Sequence, residues 1–380
     1  MLIIFLILCF FVNIKYIYLN SIDKINDINF RKPRYSSSIT NNISNAYKKN
    51  LIISVLTYYT WEIIAPFIES YAKSDFENSE CVVFVYGITQ STINKIKSFG
   101  VIVYDIPEEF SSKNIIHCRW KIYEDYLVSN INKYNLVFST DLRDVFFQKD
   151  LFKYYNGSQP FFGVALEEYV LSQEKTNKKW IIDAYGEDIF KEIQNNRIIC
   201  LGTIFGTIDK VIEFSKLMWK QIDSKYSLEF NIVDQAVGNY LIYHDKMFKD
   251  CLIKSENKNG TIMTLGLLDR KQIYFDLDDN IVNGEGKVAA VIHQYDRIPQ
   301  IVKKVIDKYC PEINYKKTNY NYIIILSLIF IILVLIIIII TLLYKDKLKK
   351  TYNILDKEKS IKNSNNKTYH LKDLVNNSME

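Results

Sequence analysis

The chain has 380 residues, 48% of them hydrophobic and 14% aromatic, with 12 glycines and 6 prolines. That is enough apolar material for one large folded domain or two small ones, and it excludes a collagen-like or disordered chain. The 48 basic and 43 acidic residues leave a net charge of +5 spread along the sequence, and no basic stripe interleaves with base-stacking aromatics, so no nucleic-acid partner is expected.

Residues 1–12 are almost wholly apolar until Asn13 and Lys15 interrupt them. A run that short predicts a signal peptide or signal anchor over 1–20. Residues 21–48 are polar and without apolar period, a linker. Regular structure is expected from a strand at 51–56, followed by a helix over 61–72 despite Pro66. A second buried strand covers 81–86 and closes at Gly87. Thr89 or Ser91 then caps a helix carrying Ile93, Ile96 and Phe99. A third strand at 101–104 ends before Pro107, and a helix over 117–130 presents Trp120, Tyr123 and Leu127.

The next stretch, 135–152, reads NLVFSTDLRDVFFQKDLF. A buried strand at 136–138 stops at Ser139-Thr140-Asp141, with Asp144 three residues later and Arg143 between. Buried charge is costly unless paired or metal-bound, and ligands of open α/β sheets sit beyond the carboxyl ends of the strands. The pattern therefore points to a divalent cation with a charged ligand, or else to a strand cap with an internal Arg143–Asp141 pair.

Further on, a strand at 161–166 ends in Glu167-Glu168, and a helix is expected over 181–195. A strand or turn at 198–206 holds Gly202, where backbone can approach a ligand closely, and Gly206. Val211, Phe214, Leu217 and Met218 stripe a core-facing helix. Asn231 opens another, with Asp234 in its first turn. Late strands at 262–267 and 289–292 follow, the second delivering His293, one of only four histidines and the one placed to complete a carboxylate metal site. Alternating strands and helices at this pace predict βαβ units and a mostly parallel sheet.

Residues 306–322 read as a stem and 323–343 as a transmembrane helix, about twenty apolar residues flanked by Tyr320, Tyr322 and Tyr344. Lys345, Lys347, Lys349 and Lys350 put the disordered tail, 344–380, in the cytoplasm, and hence the domain in the lumen or outside the cell. Sequons at Asn42, Asn156 and Asn259 agree with that side. The six cysteines show no CxxC spacing, which argues against zinc; one or two disulfides are expected, with Cys251–Cys310 the favoured pair.

Taken together, Ser-Thr-Asp-Leu-Arg-Asp-Val-Phe-Phe-Gln (139–148), Cys-Leu-Gly-Thr-Ile-Phe-Gly (200–206), Asp-Gln (234–235) and His-Gln-Tyr-Asp-Arg (293–297) resemble nucleotide-sugar glycosyltransferases of the GT-A type over about residues 49–305. The resemblance implies a single GT-A-like, Rossmann-type α/β domain with a mostly parallel sheet flanked by helices. It further implies Mn²⁺ or Mg²⁺ on the diphosphate of a UDP- or GDP-sugar and a glycan, protein or lipid acceptor, in the Golgi or endoplasmic reticulum or at the cell surface. In the family's DxD motif Asp144 takes the place of the second Asp; Leu142 stands at the first, with Asp141 one residue early, a DxxD departure that leaves Asp141 as ligand or as a contact to ribose or metal-bound water. His293 matches the family's late metal ligand, Gly202 the turn beside the donor and Asp234 the residue near donor sugar and acceptor. Thr203, Gln235, Arg143 and Arg297 join Asp141 and Gly202 as donor-binding candidates. A catalytic base, needed if the reaction inverts, is expected among Glu167, Glu168 and Asp234.

Two other readings remain open on the sequence. The DxxD departure suits a relative that kept the fold and lost turnover, binding a glycan or partner. Paired carboxylates such as Glu167 and Asp234 suit a metal-free glycan hydrolase.

Overall fold

The computed structural model describes residues 48–111, 113–226, 233–313, 331–345 and 347–348. The strands are β1 (Lys49–Thr57), β2 (Ser79–Tyr86), β3 (Ile102–Asp105), β4 (Tyr134–Thr140), β5 (Val145–Phe147), β6 (Phe162–Val170), β7 (Arg197–Thr207), β8 (Leu252–Ser255), β9 (Ile262–Thr264), β10 (Tyr274–Phe275), β11 (Ile281–Val282) and β12 (Val291–His293). The helices between them are α1 (Trp61–Lys73), α2 (Gln90–Ser98), α3 (Glu108–Ser111), α4 (Ile115–Ser129), α5 (Lys175–Tyr185), α6 (Glu187–Ile193), α7 (Ile208–Tyr226), α8 (Asp234–Tyr243) and α9 (Pro299–Tyr309). These elements belong to one compact unit that begins at Lys49.

The central sheet runs β3-β2-β1-β4-β7-β6-β8. β3, β2, β1 and β4 pair in parallel, as do β6 and β8, while β7 runs antiparallel to both β4 and β6. The runs in β1, β2 and β4 are apolar without alternation because helices cover both faces. On one face α1, α2 and α9 pack through Phe67, Ile96 and Val305; on the other α4, α7 and α8 pack through Trp120, Phe214 and Val237. This mixed α/β architecture, mostly parallel with flanking helices, fits the GT-A-like expectation.

A second sheet, β5-β12-β9, lies on the first of these faces. Ser70 on α1 secures its edge: the hydroxyl accepts from the Phe147 amide at 2.9 Å and donates to the Phe67 carbonyl at 3.1 Å. The short β10–β11 hairpin is a separate two-stranded sheet, joined to the core through Ile281 and the Gln148 side chain.

Several boundaries differ from the sequence expectation. The helix expected over 181–195 is two helices, broken at Gly186, whose φ of 86° lies in the left-handed region that favours glycine. α9 crosses residue 305 with Pro299 in its first turn, and Tyr309 and Cys310 are buried in the core. The Cys251–Cys310 disulfide does not form; both thiols are free, Cys310 packed beneath α9 and Cys251 in the turn that enters β8.

Among the described residues no helix is long and apolar enough to cross a membrane. The span expected at 323–343 is described only from 331, as a helix over 331–345 with exposed residues. The leader, most of the linker and nearly all of the tail lie outside the described residues, as does Asn42; Asn156 and Asn259 are exposed.

One surface cluster bears on stability. Glu80 bonds Lys49 at 2.9 Å, Lys133 at 2.6 Å and the hydroxyl of buried Tyr134 at 2.6 Å. Burial opposes its charge, but these donors prevail and lower its pKa from 4.5 to about 2. A depressed carboxylate contributes stability above its unfolded pKa and loses it as pH falls through the folded one. Glu80→Gln is therefore expected to cost about 2 kcal/mol at pH 7, with the deficit shrinking below about pH 4. Urea unfolding at pH 7 and at pH 3 checks this; an equal deficit at both would contradict it.

Candidate metal centre

Three side chains converge where β4 and β12 end and β5 begins. Asp141 leaves β4 directly after Thr140, and its backbone amide donates to the Gly202 carbonyl at 2.7 Å. Residues 142–144 turn, and Leu142 buries its side chain in the core instead of facing the site. That turn carries Asp144 back beside Asp141, so a three-residue spacing still yields two convergent carboxylates. Asp144 then starts β5, which pairs antiparallel with β12 in the register Val145↔His293. The Gln294 amide, on a left-handed residue with φ of 60°, donates to the Asp144 carbonyl at 2.8 Å and locks the two strand ends together.

One ligand atom from each of Asp141, Asp144 and His293 lies within 4.8 Å of the others. His293 Nε2 is 3.5 Å from Asp144 Oδ1 and 3.7 Å from Asp141 Oδ2. Buried and with no hydrogen-bond partner among the described residues, this nitrogen is an orphan that a cation would satisfy. Two carboxylates supply the oxygen ligands that hard ions such as Mg²⁺ and Mn²⁺ take, and the imidazole widens the set toward softer divalent ions. The fit is therefore good.

Burial works against the charge on both carboxylates, yet both pKa values lie below the usual range. For Asp141 the Arg119 guanidinium prevails, with help from His293; for Asp144 His293 does. Burial also opposes a charge on His293, but Cys200 and the two aspartates raise its pKa well above the ordinary histidine value.

Arg119 is the residue the sequence reading missed. It lies on α4, buried, and its guanidinium bonds Asp141 Oδ1 at 2.6 Å, Asp234 Oδ2 at 2.7 Å and the Leu201 carbonyl at 3.3 Å. The signal was there: Arg119, Tyr123 and Leu127 recur every four residues, so Arg119 shares the helix face of the apolar Tyr123 and Leu127. Asp234 thus sits at the start of α8, tied to Arg119 and to Trp120 Nε1 at 3.3 Å.

The expected Arg143–Asp141 pair is replaced. Arg119 occupies Asp141 from within, while Arg143, on the outer side of the turn, pairs with Asp296 at 3.2 Å and Asp144 at 3.4 Å. Arg297 is exposed close to Gly266, where a Cβ would meet its Nη1 at 2.3 Å. Glu167 is buried and turned toward Cys200 and His293; burial raises its pKa, partly offset by those groups and Arg297. Glu168, next along β6, points the other way and pairs with Arg197 at 3.1 Å, so the two glutamates do not act on one site. Gln235 donates to Asn177 at 2.7 Å, away from the three convergent side chains, and Thr203 is buried opposite Thr140.

Gly202 is required by close approach. A Cβ there would lie 2.3 Å from His293 Cε1 and 2.6 Å from Asp141 Oδ2. What approaches the backbone is the side chains of the centre itself. Gly202→Ala is expected to spread those ligands and weaken Mn²⁺ about 10–100-fold with the fold intact, measured by calorimetric titration; unchanged affinity would contradict the packing argument.

The sequence matches no family model and no curated protein. Among solved structures, that of an active-site mutant of LgtC superposes with a TM-score of 0.42 at 13% identity, covering 69% of this chain and 96% of that chain. At that level of likeness the assignment of function rests on the site.

Proposed function

We propose that the chain is a metal-dependent glycosyltransferase that moves a sugar from a UDP- or GDP-sugar to a glycan, protein or lipid acceptor. The observation that carries this reading is the convergence of Asp141, Asp144 and the orphaned His293 Nε2 at the carboxyl end of β4. The order of the sequence blocks that resemble GT-A enzymes supports it.

Asp141, Asp144 and His293 would hold Mn²⁺ or Mg²⁺, which when bound neutralises charge on a diphosphate leaving group. Arg143 and Arg297, both exposed at the rim, offer guanidinium forks to the phosphates. Both bonds to Asp234 fall on Oδ2, which leaves Oδ1 to accept from a hydroxyl of donor sugar or acceptor. Of the base candidates, Glu168 points away to Arg197, Asp234 is linked to Asp141 through Arg119, and Glu167 is turned toward His293. The DxxD spacing no longer favours an inactive relative, because the turn after Asp141 absorbs it.

The proposal also puts the domain in the secretory pathway, luminal or extracellular, held by a helix at 323–343. The apolar run with lysines beyond it supports this.

The test is incubation of the full chain, purified in detergent, with a panel of UDP- and GDP-sugars with and without Mn²⁺. Metal-dependent release of nucleoside diphosphate is expected. Cleavage of a glycan without nucleotide or metal would instead support the hydrolase and overturn this reading.

A further inference from the structure

Behind His293 lies a thiol that the proposed chemistry does not use. Cys200 on β7 is buried, its Sγ 3.5 Å from His293 Nδ1. Gln294 Nε2 donates to the same sulfur at 3.6 Å, and Glu167, two residues beyond the Ala165 that pairs with Cys200 across β6 and β7, turns its carboxyl to the same face of the sheet as the thiol. The other imidazole nitrogen, Nε2, faces Asp144 and Asp141 without a partner.

An imidazole binds a cation only through an unprotonated nitrogen, so Nε2 serves only when the ring proton is on Nδ1. A thiol has one S–H to donate in a hydrogen bond. If Cys200 donates it to Nδ1, the neutral ring carries its proton on Nε2 and the site is blocked. If Cys200 donates it to Glu167, the sulfur accepts from Nδ1–H and from Gln294, and the Nε2 lone pair faces the aspartates. A carboxylate is a better acceptor for the thiol than a neutral imidazole nitrogen, which favours the second arrangement.

We propose that Cys200 is a positioning residue that sets the tautomer of His293 for cation binding, with Glu167 orienting the thiol. The inference rests on the metal centre described under the proposed function. It makes Glu167, in the place where metal-bound histidines commonly have a carboxylate partner, act at one remove through sulfur.

The experiment is Mn²⁺ titration of the full chain in detergent, reading free Mn²⁺ by electron paramagnetic resonance, with thermal unfolding recorded for each variant. Cys200→Ala is expected to bind about 10–100-fold more weakly, and Cys200→Ser, which keeps one donor and an acceptor, to recover most of the loss. Glu167→Leu is expected to weaken Mn²⁺ about tenfold while folding at least as well, since it removes a buried carboxyl; it carries the test if Cys200→Ala does not fold. Wild-type affinity in folded Cys200→Ala, or in Glu167→Leu with turnover lost, overturns the proposal and returns Glu167 to the base role. Those results would leave the metal centre standing, provided Asp144→Ala abolishes binding. Absence of Mn²⁺ binding by the wild-type chain would sink both.

Discussion

Asp144→Ala is expected to abolish measurable Mn²⁺ binding and to lower any nucleotide-sugar turnover about a thousandfold, which corresponds to about 4 kcal/mol of lost transition-state stabilisation. Asp144 is buried at the start of β5, and its carboxylate is one of the three groups whose atoms converge within 4.8 Å. Without it, Asp141 and His293 form an incomplete set. The fold should survive, because the bond that ties β5 to β12 at this point runs from the Gln294 amide to the Asp144 backbone carbonyl, which Ala keeps. Calorimetric titration beside thermal unfolding checks both halves. Wild-type Mn²⁺ affinity in the variant would contradict the assignment of Asp144.

Arg119→Leu is expected to cost about 3–5 kcal/mol of stability, the penalty for leaving buried charge without its partner. Among the described residues, Asp234 loses its only ion-pair partner and Asp141 its closest one. Pairing the change with Asp234→Leu should recover part of the loss, since the apolar pair removes the stranded carboxylate, leaving only Asp141 to be held by His293. Urea unfolding of wild type, single and double variants measures the coupling. A single-variant loss under about 1 kcal/mol would show that the fork contributes little.

Much of the fold was legible because long apolar runs leave few alternatives. The runs in β1, β2 and β4 read as strands in the sequence, and Thr89 caps α2 as its position before Ile93 and Ile96 predicts, accepting from the Thr92 amide at 3.3 Å. What escaped was short or long-range. β5 is three residues, Val145-Phe146-Phe147, too few to show a period, yet its pairing with β12 is what brings Asp144 to His293. The sequence reads as a stem from residue 306, yet α9 continues to Tyr309; its apolar positions, Ile301, Val305 and Ile306, recur at helical spacing but are interleaved with lysines. Gly186 divides the helix expected over 181–195 because its positive φ is a property of the backbone, which side-chain periodicity does not reveal.

The site followed the same logic. Asp141, Asp144 and His293 stood out as polar residues at the ends of apolar strands, where packing gives them little reason to be. Arg119 did not, because an Arg on a helix usually extends into solvent. Glu167 and Glu168 were indistinguishable in sequence, and the alternation of β6 separates them: one faces Cys200 and the other Arg197. The sequence pairs Arg143 with Asp141, but the buried Arg119 occupies that carboxylate and Arg143 pairs with Asp144 and Asp296 instead.

The central claim is that the three convergent side chains hold a cation that in turn holds a nucleoside diphosphate. Its most direct test is calorimetric titration of UDP and GDP into the full chain with and without Mn²⁺. Binding that requires Mn²⁺ and disappears in Asp144→Ala is the predicted result; no binding of either nucleotide at millimolar concentration by folded, Mn²⁺-saturated protein would contradict it.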